Sequence, residues 1–274
     1  MINIRKAFVF IIVLTSLFSF STIGSRNGLV TKSIQMKKNF RAWQGVGADQ
    51  KRIYVTSDRD INFTLSNTIS VYDVSGKYII EKKNAYVGRD GKGRFMSFGD
   101  CFVSGSYLYA TVYNFNSAPP EEERVSRIVK YSLPDLKLVE EYDIGKGTAE
   151  SLATYKGSFW VVYHDINEIK RYNSNFEYQA SYALSAQFGG EGGYQGIVFK
   201  DNELYGNLHG SNKYGEKYTQ GLDHYKFNGN SFEFIERLKA PTYGAGQGVE
   251  LVGKKLYWVD RPGNRIIVTN DFLN

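Results

Sequence analysis

Short apolar runs that carry an aromatic residue recur five times along this chain of 274 residues, at intervals of 45 to 55 residues. Each run has the β-branched and aromatic composition of a strand rather than a helical pattern. A strand-built repeat of this length is typical of a propeller, in which each repeat forms one small antiparallel sheet. The aromatic anchors are Tyr54, Tyr109, Trp160, Tyr205 and Tyr257.

Each repeat contains further strand-like runs at matching places. One run begins near the residue ten positions before the anchor, and two more follow the anchor in each of the first four repeats. Four strands per repeat predict an all-β fold, a five-bladed β-propeller of four-stranded antiparallel blades. The third runs begin at Ile69, Ile128, Ile169, Leu222 and Ile266, and the fourth runs begin at Tyr78, Leu138, Tyr178 and Phe234.

The fifth repeat contains only three strand-like runs, so one edge of its sheet needs a partner. The segment Leu29 to Met36 precedes the first repeat and alternates apolar and polar residues as a strand does. We therefore expect this amino-terminal strand to complete the last blade and to close the ring.

The amino terminus has the pattern of a secretory signal. Arg5 and Lys6 precede the apolar stretch 7–20, which is followed by small residues and is shorter than a comfortable membrane span. We expect a signal peptide at residues 1–24, with cleavage near residues 21 to 25, and a single propeller domain at residues 25–274. The mature protein is then expected to be secreted or periplasmic, without a membrane span.

Composition argues against several classes of protein. The net charge of +6 is modest and the basic residues are scattered, which argues against a nucleic-acid-binding surface. Cys101 is the single cysteine and lies in a predicted inner strand, where we expect a buried, inert thiol. The 21 Tyr and 18 Phe residues are expected to fill the gaps between blades.

In a propeller, the inner strand of each blade begins, and the second strand ends, at the same end of the central channel. Residues at these two places should converge from all blades, and polar or titratable side chains gathered in a cleft are typical of binding or catalysis. The inner-strand positions predict Gln44, Asp100 (after Gly99), Glu150, Gln195 and Gln247 as site residues, and the second-strand positions predict Asp58, Tyr113, His164, His209 and Arg261.

Several chemistries fit these residues. Gln amides with Arg261 and the two histidines suit a polyhydroxylated or carboxylate-bearing ligand that is bound without reaction, and this is the reading we prefer. As an enzyme, the site would use Glu150 as general acid or base, with Asp100 or His164 as its partner. No cofactor is expected, although Asp58, Asp100 and Glu150 carry the oxygen ligands that calcium prefers. A third alternative is a scaffold that presents the loop Asn116 to Ser126 to a protein partner.

Three family resemblances accompany this prediction. The Gln-Gly-Val and Gln-Gly-Ile triplets at 44, 195 and 247 resemble the blade starts of plant-type glutaminyl cyclases, whose active-site Trp ring is not matched here. Glu150-Ser151-Leu152 is similar to the blade that carries the acid in arabinanase-like glycosidases, whose first-blade carboxylate would fall near Gln44. The run Arg127 to Tyr131 resembles olfactomedin domains. These resemblances imply a secreted propeller with a glycosidase or cyclase site built around Glu150.

Overall fold

A computed structural model describes residues 29–37, 42–58, 67–88, 97–114, 120–163, 168–184, 191–211 and 217–273. The predicted signal peptide lies outside these residues, and so does His164. Within the described residues helical geometry is limited to a short 3-10 turn at Glu121–Glu123 and the single residue Asn114, and no helix has the length and hydropathy of a membrane span.

The described residues contain twenty β-strands, which form five four-stranded antiparallel units. Unit 1 contains β2 (Trp43–Ala48), β3 (Arg52–Ser57), β4 (Thr68–Asp73) and β5 (Tyr78–Lys83). Unit 2 contains β6 (Ser97–Ser104), β7 (Tyr107–Tyr113), β8 (Val125–Ser132) and β9 (Lys137–Lys146). The predicted loop to Ser126 is therefore two residues too long, because β8 begins at Val125.

Units 3 and 4 follow the same order. Unit 3 contains β10 (Ala149–Tyr155), β11 (Ser158–Tyr163), β12 (Glu168–Tyr172) and β13 (Tyr178–Leu184). Unit 4 contains β14 (Glu191–Lys200), β15 (Glu203–Ser211), β16 (Lys217–Phe227) and β17 (Ser231–Leu238). Their outer strands β13 and β17 pair in parallel, so the two units share one eight-stranded sheet.

Unit 5 is completed by the amino-terminal strand, as predicted. It contains β18 (Val249–Val252), β19 (Lys255–Asp260), β20 (Arg265–Asn270) and β1 (Leu29–Gln35). Strand β1 pairs antiparallel with β20 from Leu29↔Asn270 to Gln35↔Arg265. The edge of β20 is thereby paired, and residues at opposite ends of the chain are held in one sheet.

The inner strands β2, β6, β10, β14 and β18 contact one another in sequence, and β18 contacts β2. A separate apolar cluster fills the space between each pair of neighbouring units, including the first and the last. Large side chains dominate these clusters, as expected for flat sheets packed face to face. The fully buried aromatic residues include Trp43, Tyr54, Phe98, Tyr131 and Trp258.

Burial falls from the axis to the rim. Every residue of β2 is buried, whereas β5 is mostly exposed or half-buried. Cys101 is fully buried in β6, as predicted, and burial raises the pKa of its thiol well above the ordinary value, so the unreactive neutral form is favoured.

Candidate functional site

The pairing between the first and second strands shifts register at the same place in four units. The shifts lie between Trp43 and Val46, Phe98 and Cys101, Ala149 and Ser151, and Tyr194 and Gly196. Two inner-strand residues there face one residue of the second strand, which is a β-bulge. A bulge re-aims a side chain at the end of a strand. The first bulge residues are Gln44, Gly99, Glu150 and Gln195, four of the places that the repeat alignment selects.

The side chains at these bulges make polar pairs at one end of the ring, which we call the mouth. It is the end where the inner strands begin and the second strands end. Gln44 Nε2 lies 3.4 Å from Asp58 Oδ2, Gln195 Nε2 donates to Glu150 Oε2, and Gln247 Nε2 lies 3.0 Å from His209 Nδ1. The Glu150–Gln195 and His209–Gln247 pairs each link neighbouring units, so the mouth is built across unit boundaries.

Arg261 connects these pairs. Its Nη2 donates to Gln247 Oε1 at 2.7 Å, and its Nε donates to the Trp43 carbonyl oxygen at 2.7 Å. Burial lowers the pKa of Arg261, while the nearby Asp58, Tyr113 and Glu150 raise it. The guanidinium group of Arg261, which belongs to unit 5, therefore lies within electrostatic reach of side chains from units 1, 2 and 3.

The structure thus brings together eight of the ten predicted site residues in one region. These are Gln44, Asp58, Tyr113, Glu150, Gln195, His209, Gln247 and Arg261. They are buried or half-buried, as expected for side chains held in a concave opening rather than on a convex surface. His164 cannot be placed, because it lies outside the described residues.

Asp100 makes none of these polar pairs, and its role as the acid–base partner of Glu150 stays a prediction. It is the second bulge residue of its unit, and both carboxyl oxygens are buried without a hydrogen-bond partner among the described residues. A Cβ on Gly248 would lie 2.6 Å from Asp100 Oδ1. Asp100 therefore points across the axis toward unit 5, below the mouth, where only glycine leaves space for it.

Burial dominates the electrostatics of Asp100. It raises the pKa of this carboxyl well above the ordinary value, and the nearby carboxyl of Glu250 raises it further. The backbone amides of Cys101, Val46 and Ile197 act in the opposite direction. These amides face the carboxyl group without reaching hydrogen-bond geometry. Because burial therefore dominates, the site favours the protonated form of Asp100.

The three oxygen ligands that we named for calcium lie at different depths of the channel. Asp58 and Glu150 lie at the mouth, but Asp100 is enclosed on the axis. Across the ranges that the structure describes, no group of three or more His, Cys, Asp or Glu side chains is placed to hold a metal ion.

A layer of buried polar side chains joins neighbouring units just below the mouth. Thr56 Oγ1 donates to the Gly99 carbonyl oxygen at 3.0 Å, and Asn207 Nδ2 donates to the carbonyl oxygens of Ala245 and Gln247 at 2.8 and 2.5 Å. Both side chains are fully buried. They lie at equivalent places of their second strands and fix the backbone at the start of the next inner strand, from which the mouth side chains project.

The third histidine of the chain is remote from the mouth. His224 lies on the third strand of unit 4, where its Nε2 is 2.8 Å from Glu203 Oε2 and its ring stacks on Tyr205 at 4.5 Å. Glu250 lies on the wall of the channel and was not among the predicted site residues. Its carboxyl group interrupts the apolar residues Val249 and Leu251, and that interruption was the available signal.

No family model matches this sequence, and a comparison with curated proteins finds no relative. Solved structures do resemble it. A glutaminyl cyclase from Myxococcus xanthus has a TM-score of 0.60 at 10% identity, covering 88% of this chain and 94% of the other. An exo-beta-1,3-galactanase from Phanerochaete chrysosporium has a TM-score of 0.57 at 10% identity, over 86% and 64% of the two chains.

A beta-1,2-mannobiose phosphorylase from Listeria innocua also resembles the chain, with a TM-score of 0.55 at 9% identity over 88% and 90% of the two chains. The fold is a β-propeller. At these identities the likeness establishes the fold and leaves the activity open, because one propeller scaffold carries many unrelated sites.

Proposed function

We propose that the mouth binds a small polar ligand, a sugar or a molecule that carries a carboxylate or amide group. The observation that supports this most strongly is the position of Arg261. It is held by Gln247 and by the Trp43 carbonyl group while it faces Asp58 and Glu150. A cation that is hydrogen-bonded to an amide and lies within electrostatic reach of two carboxylates offers directed donors and acceptors in one small region.

The Gln side chains supply the complementary hydrogen-bonding groups. Gln44 Oε1 is a buried acceptor that lacks a hydrogen-bond partner among the described residues. A buried acceptor of this kind is costly unless a donor reaches it. A ligand hydroxyl or N–H group at the mouth would satisfy it, which favours a polyhydroxylated or amide-bearing molecule over an apolar one.

An enzyme of glycosidase or glutaminyl-cyclase type is the second candidate. It is favoured by the presence of two carboxylates, Asp58 and Glu150, beside the same arginine. Glycosidic bonds are usually cleaved by a carboxyl pair about 5 to 10 Å apart, with one carboxyl group donating a proton to the leaving oxygen. In this reading Glu150 is the general acid or base and Asp58, rather than Asp100, is its partner. The propellers of similar fold include a galactanase and a glutaminyl cyclase, which makes these chemistries the ones to test.

A thermal-shift screen separates the candidates at the binding level. β-1,3-galactotriose, β-1,2-mannobiose and a glutaminyl dipeptide would each be tested, because a ligand that binds only the folded state raises the Tm. The matched variants are Glu150→Gln at the mouth and Glu168→Gln on β12 of the same unit. Binding at the mouth predicts that Glu150→Gln weakens the response about tenfold and that Glu168→Gln leaves it unchanged.

Turnover assays with the same three compounds then distinguish a binder from an enzyme. For an enzyme, Glu150→Gln should lower kcat by about 100-fold or more while the KM changes little. A binder shows only the affinity change. A protein-presenting scaffold would show neither response, and its partner would instead be sensitive to changes in the loop 116–126. Equal responses of the Glu150→Gln and Glu168→Gln variants would contradict a ligand site at the mouth.

A further inference from the structure

The junction between units 3 and 4 differs from the other junctions. Strands β13 and β17 pair in parallel at the rim, through Ala183↔Ser231 and Leu184↔Phe232, while β10 packs against β14 near the axis. The eight strands of the two units therefore enclose a space between them, like a nearly closed barrel. The end of this space opposite the mouth contains a cavity of about 290 Å³, lined by Tyr155, Lys156, Ser158, Trp160, Arg171, Phe199, Asn202, Phe227 and Phe232.

Aromatic rings form most of the wall of this cavity, and they contact one another in a continuous series. Tyr155 stacks on Phe199 with ring centres 4.5 Å apart, and Trp160 lies 5.4 Å from Phe199 and 5.8 Å from Phe232. Phe227 lies 4.8 Å from Phe232. Rings that support one another in this way keep a fixed shape, so the cavity is preformed.

The polar atoms of these rings are occupied by the protein itself. Trp160 Nε1 donates to the Tyr155 carbonyl oxygen at 3.3 Å, and the Tyr155 hydroxyl group donates to Asn202 Oδ1. The indole N–H group and this hydroxyl group are therefore not offered to a ligand, and the rings present their carbon faces to the cavity. Such a wall favours a flat apolar body over a sugar, whose hydroxyl groups would lose their hydrogen bonds to water.

Two cationic side chains, Arg171 and Lys156, lie at the opening of the same cavity. The Arg171 guanidinium group lies 5.8 Å from the ring centres of both Trp160 and Tyr182, and Lys156 Nζ lies 5.2 Å from the Tyr155 ring. Neither side chain takes part in an ion pair within the part of the chain that the structure describes. Their charge is available to an anionic group that sits at the opening while a ring enters the cavity.

We propose that this cavity is a second binding site and that it takes a small planar aromatic anion, such as an aromatic carboxylate. The ring of the ligand stacks among Phe199, Phe227 and Trp160, and its carboxylate faces Arg171 and Lys156. The volume is at the lower end of the range for ligand pockets, which restricts the occupant to about one or two fused rings. The site lies at the opposite end of units 3 and 4 from the mouth and does not depend on the ligand of the mouth.

The test uses 2-naphthoate as the probe, with uncharged 2-naphthamide and the non-aromatic cyclohexanecarboxylate as comparison compounds. Calorimetry measures affinity, and the NMR signal of the Trp160 indole N–H group, assigned with a Trp160→Phe variant, reports the location. We expect saturable binding of 2-naphthoate that shifts this signal. The two comparison compounds are expected to bind about tenfold more weakly or worse, because each lacks one of the two features that the site recognises.

The charge requirement is tested with Arg171→Gln and with Lys170→Gln as its matched control. Lys170 is the preceding residue of β12, faces Tyr163 on the other side of the strand, and carries the same charge. We expect Arg171→Gln to weaken 2-naphthoate binding about tenfold and Lys170→Gln to leave it unchanged, with both variants keeping the wild-type Tm. Both positions are partly exposed, so folding should not be affected.

Three outcomes would overturn the proposal. One is the absence of saturable 2-naphthoate binding at millimolar concentration. Another is equal affinity for 2-naphthoate and 2-naphthamide, or for wild type and Arg171→Gln. The third is tighter binding of galactose or glucose than of 2-naphthoate together with a shift of the Trp160 signal, which would make the cavity a sugar site instead.

Discussion

The two ends of the central channel are built from the same five inner strands but differ in how their polar groups are arranged. At the mouth, side chains from neighbouring units form polar pairs such as Glu150–Gln195 and His209–Gln247. At the far end, a cavity of about 200 Å³ is lined by apolar side chains such as Phe102, Leu152 and Ile197, but its accessible surface is mainly polar and Glu250 is among its lining residues. Polar side chains that pair across unit boundaries are thus concentrated where the strands begin.

The difference follows from strand geometry. Four inner strands have a bulge at the mouth, whereas they run in regular register to the far-end turns, as at Tyr155↔Ser158 and Lys200↔Glu203. A regular strand continues its alternation of faces, while a bulge turns a side chain toward the opening. In these four units the first bulge residue is directed toward the mouth, whereas the second, Asp100 in unit 2, stays in the channel.

The largest expected effect concerns the polar layer that supports the mouth. Asn207→Leu preserves volume but leaves the carbonyl oxygens of Ala245 and Gln247 without their buried donor. We expect a loss of about 2 to 4 kcal/mol in the free energy of unfolding, measured by denaturant titration. Asn230→Leu on an exposed turn is the control and should change stability by less than about 0.5 kcal/mol. Equal effects of the two changes would show that the layer does not hold the units together.

A smaller effect is expected from the buried carboxyl group in the channel. Because the pKa of Asp100 is raised in the folded state, the native protein binds this proton more tightly than the unfolded chain. Its contribution to stability is full below pH about 4 and is lost as the pH rises toward the native pKa. Asp100→Asn should therefore become more stable than wild type as the pH rises, by about 1 kcal/mol or more at pH 8, or about 2 to 4 °C in Tm.

Asp73 provides a control of opposite sign. Hydrogen bonds from Ser75 and from the Lys77 amide lower the pKa of this exposed carboxyl group, so its contribution is present at neutral pH and is lost as the pH falls. Asp73→Asn should therefore lose stability relative to wild type as the pH rises through the unfolded pKa. A difference between Asp100→Asn and wild type that does not change between pH 4 and pH 8 would contradict the account of the channel.

Much of the fold could be predicted because the repeated runs consist of residue types that favour strands. The aromatic anchors mark second strands, and the alternation from Leu29 to Met36 was sufficient to predict that β1 closes unit 5. The between-unit packing of aromatic residues followed from their abundance. These features depend on the local pattern of residues and on the number of strands in each repeat, and both can be read from a sequence.

The site was predicted less completely, for reasons of geometry. Gly99 occupies the first bulge position of unit 2, so we assigned the site role to Asp100, but the second bulge residue points across the axis. The sequence does not reveal which of two adjacent residues a bulge turns outward. The aromatic cavity between units 3 and 4 was missed because Trp160 and Phe232 have the same pattern as ordinary core residues, and only the parallel β13–β17 pairing encloses it.

The central claim is that side chains from separate units form one site at the mouth, and a double-mutant cycle between Glu150 and Arg261 tests it most directly. Arg261→Gln should destabilise the wild type more than it destabilises the Glu150→Gln variant, because the buried charge of Glu150 loses its cation in only the first case. We expect a coupling free energy of about 0.5 kcal/mol or more, against none for Arg261 with Glu141→Gln on β9. Additivity of the Glu150 and Arg261 changes within about 0.3 kcal/mol would contradict the claim.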